Sequence, residues 1–300
     1  MKEIAQGLRF PEGPIALGDG SVVLVEIERG TVSRVAPDGG IEVIAQPGGG
    51  PNGAAMGPDG AVYVCNNGGF TWQESGGHLA PAGTPADYSG GRIERVDLDT
   101  GSVDVLYREC NGQPLNGPND IVFDAQGGMW FTDLGKTYET HRDLGVVYYA
   151  RPDGSAISRQ ITHRETPNGI GLSPDEKTLY VAETITGRLW AYMLEAPGQV
   201  ARGPDAQRLV VGLPGFQLFD SLALDAEGHI CVATIVNGGI TSVSPDGATV
   251  EHFPTDDPLT TNICFGGEDL RTAFITLSSS GRLVSTTWPR PGLPLNFLNR

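Results

Sequence analysis

One pattern occurs six times along this chain. A polar residue in a short turn leads into an alternating apolar stretch, then an acidic or glycine turn, then a stronger apolar run. The copies read FPEGPIALGDGSVVLV, GPNGAAMGPDGAVYVC, GPNDIVFDAQGGMWFT, TPNGIGLSPDEKTLYV, FDSLALDAEGHICVA and TNICFGGEDLRTAFIT. Their first polar residues are Glu12, Asn52, Asn119, Asn168, Asp220 and Asn262, spaced by 40, 67, 49, 52 and 42 residues. A strand-rich repeat of this period is one blade of a β-propeller, a unit that buries its faces only by stacking on copies of itself. Six copies predict an all-β, six-bladed β-propeller.

The rest of each repeat agrees. GTVSRVAPDGGIEVIAQ, GGRIERVDLDTGSVDVLYRE, GVVYYARPDGSAISRQIT, GRLWAYMLEAPG with QRLVV, and GGITSVSPDGATVEHF each supply two further strands around Asp-Gly or similar turns. Period-two alternation joined by such turns is the hairpin signal. Gly (43) and Pro (22) together exceed a fifth of the 300 residues, against ~12% in an average chain, while hydrophobic content stays ordinary at 39%. The sixth repeat has only GRLVSTTW after its second strand. Its missing strand must come from residues 2–9 or from the tail, 295–299. The long second spacing marks an insertion at about 68–89, GGFTWQESGGHLAPAGTPADYS, which reads as a loop. Residues 1–300 are thus expected to form one domain.

The net charge of −16 excludes nucleic acid and anionic membranes as natural partners, because their phosphates would be repelled. The start, MKEIAQGLRF, lacks the apolar run of a signal peptide, and no stretch approaches the ~18 apolar residues of a membrane span. Cys65, Cys110, Cys231 and Cys264 form no CxxC pair, so they read as reduced thiols in a cytoplasmic protein. Gly48–Gly53 fits G-x-G-x-x-G, but a strand and turn follow it where a dinucleotide loop needs a helix. No GxSxG elbow is present. The sequence leaves the oligomeric state open.

In a propeller the innermost strand of each blade lines the central channel, so equivalent turns form a ring at one mouth. Here the ring reads Glu12, Asn52, Asn119, Asn168, Asp220, Asn262. Every member offers an oxygen, and none is basic. Taken singly, an Asn-Gly pair is ordinary turn chemistry. Six acceptors in phase, with two carboxylates and no imidazole or thiolate, describe a hard-cation site. Two carboxylates balance a divalent charge, which makes burial tolerable. Ca2+ is the expected ion, with Mg2+, Mn2+ or Zn2+ as alternatives.

At these residues the chain resembles a known family. FPEGP, GPNDIVFDAQGGMWFTD, TPNGIGLSPDEKTLYVAET and FDSLALDAEG are similar to the gluconolactonase/regucalcin superfamily and, more distantly, to diisopropyl fluorophosphatase and paraoxonase. The resemblance runs through essentially the whole chain. It implies a six-bladed propeller with a catalytic divalent cation, usually calcium. By motif match, the family's metal-binding glutamate falls on Glu12, its asparagines on Asn119 and Asn168, and its aspartate on Asp220. The chain departs in having Asp220-Ser221 where many members have Asp-Gly or Asp-Asn. It also has Asn116-Gly117-Pro118 where regucalcin-like members carry an arginine before the Asn-Asp pair.

The chemistry implied is metal-assisted hydrolysis of a small lactone or ester, a sugar lactone or a small hydrophobic one. Asp220 is the candidate base, with Asp120 and Asp133 as alternates. Asn52, Asp120 and Asn262 are candidates for holding substrate, with Asn67 beside them. Without an arginine by the Asn-Asp turn, and with Phe70, Trp72 and Tyr88 in an insertion expected to cover the channel mouth, small or hydrophobic lactones are expected to be turned over at least as well as gluconolactone. Trp72 and His78 are its large groups expected to touch substrate. The alternatives are a phosphotriester hydrolase on the same metal and a calcium-binding propeller without catalysis.

Overall fold

The computed structural model describes residues 1–299 and is a six-bladed β-propeller. The six innermost strands are Pro11–Ala16, Pro51–Met56, Pro118–Phe123, Pro167–Leu172, Leu218–Leu224 and Thr260–Gly266, each packed against the next and the last against the first. In every blade the strands then run outward as antiparallel neighbours. In blade one, Pro11–Ala16 is followed by Val22–Glu26, Thr31–Val35 and Ile41–Ala45. Among the described residues there is no α-helix, only a single 3-10 turn at Pro204–Ala206.

The core lies between blades. Ile15, Val23, Val25 and Val32 of blade one pack against Val62, Val64 and Val96 of blade two. The second strands are buried on both faces, which is why VVLV and VYVC are continuous apolar runs rather than alternating ones. A buried Leu such as Leu24 contributes about 2 kcal/mol by leaving water.

Lys2–Gln6 supplies the sixth blade's missing strand, pairing antiparallel with Arg282–Thr287. The tail forms no strand. It runs instead across the lower mouth of the channel, where Leu293 N–H donates to the Leu224 carbonyl and the Phe297 ring meets Phe123 edge-on. Leu293, Pro294, Leu295 and Leu298 close an apolar cavity of about 110 Å³ lined by Ile15, Ala55, Val122, Gly171 and Ala223.

The inserted segment is more ordered than a loop. Thr71–Ser75 and His78–Gly83 form a two-stranded hairpin. It lies on the upper face, where the inner strands begin. Leu79 packs with Phe10 and Ile27 of blade one, and its N–H donates to the Ser279 carbonyl of blade six. Trp72 packs on Phe10 and Phe70, with ring centroids 5.0 and 5.9 Å away, and His78 Nδ1 lies 2.6 Å from Ser279 Oγ. Both residues singled out for substrate contact are therefore engaged in fastening the hairpin.

Lys2–Gln6 is the outermost strand of the sixth blade, so deleting residues 1–6 should expose the edge of Arg282–Thr287. The thermal midpoint should fall by at least about 5 °C, the equivalent of a few kcal/mol in a chain of this size. Calorimetry giving a midpoint within about 1 °C of the intact protein would show that the ring is held without that strand.

Candidate functional site

The ring residues are aimed by a shared irregularity. Each inner strand shifts register near its start: between Glu12 and Ile15, Pro51 and Ala54, Pro118 and Ile121, Pro167 and Ile170, Phe219 and Leu222, and Thr260 and Asn262. A bulge of this kind breaks the in-out alternation of side chains and re-aims one of them. Small residues beside the bulge let neighbouring strands close in. A Cβ at Gly53 would lie 2.4 Å from the Asn119 carbonyl oxygen, and one at Gly169 would lie 2.6 Å from that of Asp220.

Glu12, Asn52, Asn67, Asn119, Asp120, Asp133, Asn168 and Asn262 are buried, and Asp220 is half-buried. The structure joins most of them. Asn262 Nδ2 donates to Glu12 Oε2 at 2.7 Å, and Gly13 N–H donates to the same oxygen at 2.8 Å. Asn168 Nδ2 donates to Asp220 Oδ1 at 2.6 Å and to Thr184 Oγ1 at 3.0 Å. Asp120 accepts from the Ile121 N–H at 3.0 Å. Asn119 Oδ1 is buried without any hydrogen-bond partner. Asn52 is buried beside Gly13 but shares no hydrogen bond with the acids. Asp133 serves the backbone instead, accepting from the N–H groups of Asn116, Gly117 and Gly135.

Three carboxyls, Glu12, Asp120 and Asp220, therefore lie within electrostatic reach of one another. Burial, then the charge of Asp220, holds the Glu12 carboxyl well above the usual range. Burial pushes Asp120 up to about 7, and burial with the Asp120 charge pushes Asp220 up to about 8. No lysine or arginine acts on any of the three. A buried carboxylate cluster without a counter-charge is costly. The orphaned Asn119 Oδ1 is a second unsatisfied acceptor at the same ring. This donor set fits a hard cation, with Glu12, Asn119, Asn168 and Asp220 the residues that would hold it. Among the described residues no three His, Cys, Asp or Glu side chains form a compact metal cluster, and the carboxamides of Asn119 and Asn168 offer the further oxygens.

Sequence reading missed Lys136. It is 2% exposed, with Nζ donating to the Asn67 and Gly69 carbonyls at 3.0 and 2.6 Å. The ammonium lies 4.3 Å from the Phe70 ring centroid and 5.1 Å from that of Tyr88. Burial lowers it to about 8. It follows Gly135, which abuts Gly117, so the blade whose Asn-Gly-Pro stretch has no cation does carry one, turned to the base of the hairpin. A lone lysine in a loop ordinarily reads as a solvated group, so nothing in the sequence marked it. Asn67 Nδ2 beside it is buried and unpaired.

These shifts give a signed pH dependence. Asp120 and Asp220 hold protons in the fold that the unfolded chain releases above about 4. Their contribution to stability is full below that value and is lost as pH rises through about 7 and 8. Lys136 acts in the opposite sense, adding stability only above about pH 8. With chelator present, stability should fall between pH 5.5 and 8, by up to ~1.4 kcal/mol per unit per group, and Asp220→Asn should flatten the slope. Equal slopes for the two proteins in denaturant titrations would show that Asp220 ionises freely.

A sequence-family model described as "SMP-30/Gluconolactonase/LRE-like region" matches residues 10–279. The chain is 29% identical to a gluconolactonase of Zymomonas mobilis subsp. mobilis, over 94% of this chain and 80% of that one. It is 30% identical to the lactonase drp35 of Staphylococcus aureus over 78% of its length, a match spanning 64% of that lactonase. Among solved structures, a Xanthomonas campestris gluconolactonase superposes with TM-score 0.75 at 24% identity, covering 96% of this chain and 89% of that one. An Agrobacterium tumefaciens regucalcin, described as calcium-binding, gives 0.76 at 19%, covering 100% and 97%. These two likenesses concern the fold. With the family match spanning most of the chain, this protein belongs to the SMP-30/gluconolactonase/LRE-like family.

Proposed function

We propose that the chain is a metal-dependent lactone hydrolase, with Ca2+ as its ion and Glu12, Asn119, Asn168 and Asp220 as ligands. One observation carries the reading. The charge of Asp220 reaches the buried Glu12 carboxyl, and no lysine or arginine is among the groups that shift either acid, at a ring where an amide oxygen also lacks a partner. The names of the relatives, gluconolactonase and lactonase, support the reaction class. A divalent cation bound there supplies the positive charge that polarises an ester carbonyl and stabilises its oxyanion.

The chain's own groups do the remaining work. Asn168 fixes the Asp220 carboxylate by holding Oδ1, which leaves Oδ2 to take a proton from an attacking water. Asn262 fixes Glu12 in the same way through Oε2. Asp120 lies close enough to both acids to perturb them, and its value of about 7 suits it to carry the proton onward. Asn52 and Asn262 offer amides to substrate oxygens. The substrate is a small neutral lactone, because a free anion would meet three carboxyls.

Glu12→Gln and Asp220→Asn should each lower kcat/KM for lactones by at least about 100-fold, while the thermal midpoint of chelated protein does not fall. Chelator should abolish wild-type turnover and Ca2+ should restore it. Full activity in chelator-treated Asp220→Asn protein would remove this site from the reaction. Turnover of phosphotriesters but of no lactone would keep the metal site and replace the substrate.

A further inference from the structure

The upper face carries apolar side chains on two sides, and the fold uses those on only one of them. On the hairpin side, Phe10, Phe70, Trp72 and Leu79 pack on one another. On the opposite side, by blades four and five, Ile185, Phe216 and Val236 stand 43%, 74% and 47% exposed. Exposed apolar groups gathered on one surface mark a place where something binds.

These three residues lie on loops tied into one surface. The Leu213 N–H donates to the Gly187 carbonyl. Gln217 Nε2 donates to the Pro214 carbonyl at 2.8 Å, and Gln217 Oε1 accepts from Asn237 Nδ2 at 3.2 Å. Gly187 is pressed so closely on the Gln217 carbonyl that a Cβ there would lie 2.7 Å from it. Val236 adopts φ 76°, a left-handed conformation that a β-branched residue takes only under constraint from its surroundings. Its N–H is held by the Pro258 carbonyl at 2.7 Å. The valine is thus kept exposed where an asparagine or glycine would be easier.

The surface is continuous with the acid ring. Ile185 follows Thr184, whose hydroxyl accepts from the same Asn168 amide that holds Asp220. Phe216 precedes the strand Leu218–Leu224 that carries Asp220, and Leu218 pairs with Ile235, next to Val236. A ligand whose ester carbonyl reaches the ring would extend its remaining atoms over this ground.

We propose that Ile185, Phe216 and Val236 form an apolar shelf that receives the hydrocarbon substituent of the substrate, making the enzyme selective for lactones that carry an alkyl chain. This rests on the lactonase reading above and narrows its substrate class.

The test compares kcat/KM for a δ-lactone bearing a five-carbon chain with that for unsubstituted δ-valerolactone. Phe216→Ser removes the largest shelf group, and Val236→Asn removes an apolar group while suiting the left-handed backbone. Each should lower the ratio about fivefold, through the KM of the alkylated lactone, as expected for losing a few tens of Å² of apolar contact. A ratio staying within about twofold of the wild type's in both variants would overturn the shelf. So would variants that change the sedimenting mass with the ratio unmoved, which would make the patch a contact between copies. If the wild type hydrolyses no lactone, the catalytic reading fails by itself. The shelf is then read by calorimetric binding of the five-carbon-chain lactam, which is not hydrolysed. A preference over the plain lactam that both variants lose upholds the shelf, and equal binding of the two lactams by the wild type overturns it.

Discussion

A ring of sheets has no interior until its ends meet. The pairing of Lys2–Gln6 with Arg282–Thr287 joins residues nearly a full chain length apart, and beside it the inner strands Pro11–Ala16 and Thr260–Gly266 pack together to complete the ring. The inner strands converge because each blade's twisted sheet packs on the next across a shared apolar layer, as Ile15 and Val23 do on Val62 and Val64. Convergence brings Glu12 of the first blade, Asp120 of the third and Asp220 of the fifth within electrostatic reach. The loop-closure entropy of this pairing is substantial but grows only slowly with length, so a long closure is tolerable when so much apolar surface follows it.

Closure creates an electrostatic problem as well as a site. Three carboxyls come within electrostatic reach of one another, and the hydrogen bonds from Asn168, Asn262, Gly13 and Ile121 only partly offset their burial. The fold thus gives up stability at this centre, a pattern that is common at functional sites. The bulges belong to the same arrangement. Without them, the alternation of an ordinary strand would place successive ring residues on faces already filled by inter-blade packing.

The blades are legible because each repeats one turn and one apolar run, and the six-fold phase of Glu12, Asn52, Asn119, Asn168, Asp220 and Asn262 locates the ring from the sequence. The pattern could not say which terminus closes the ring, since residues 2–9 and 295–299 are both short and mixed. It could not foresee the hairpin at Thr71–Ser75 and His78–Gly83, because Gly, Pro and Ala dominate that stretch and its order comes from contacts with Phe10 and Ser279. The bulges were invisible because register is a property of two strands. Lys136 was missed for a related reason. Its partners are backbone carbonyls and ring faces some 50 to 70 positions away in the chain, and neither leaves a mark at position 136.

The tail that lies across the lower mouth changes what kind of channel this is. With Leu293, Pro294, Leu295 and Leu298 packed over the far end, the axis of the propeller is a blind well rather than a pore. Whatever enters from the upper face must turn round and leave by the same opening. Substrate and product of the reaction proposed above would then share one doorway. A closed-ended propeller works as a cul-de-sac, in which each departure must clear the way for the next arrival.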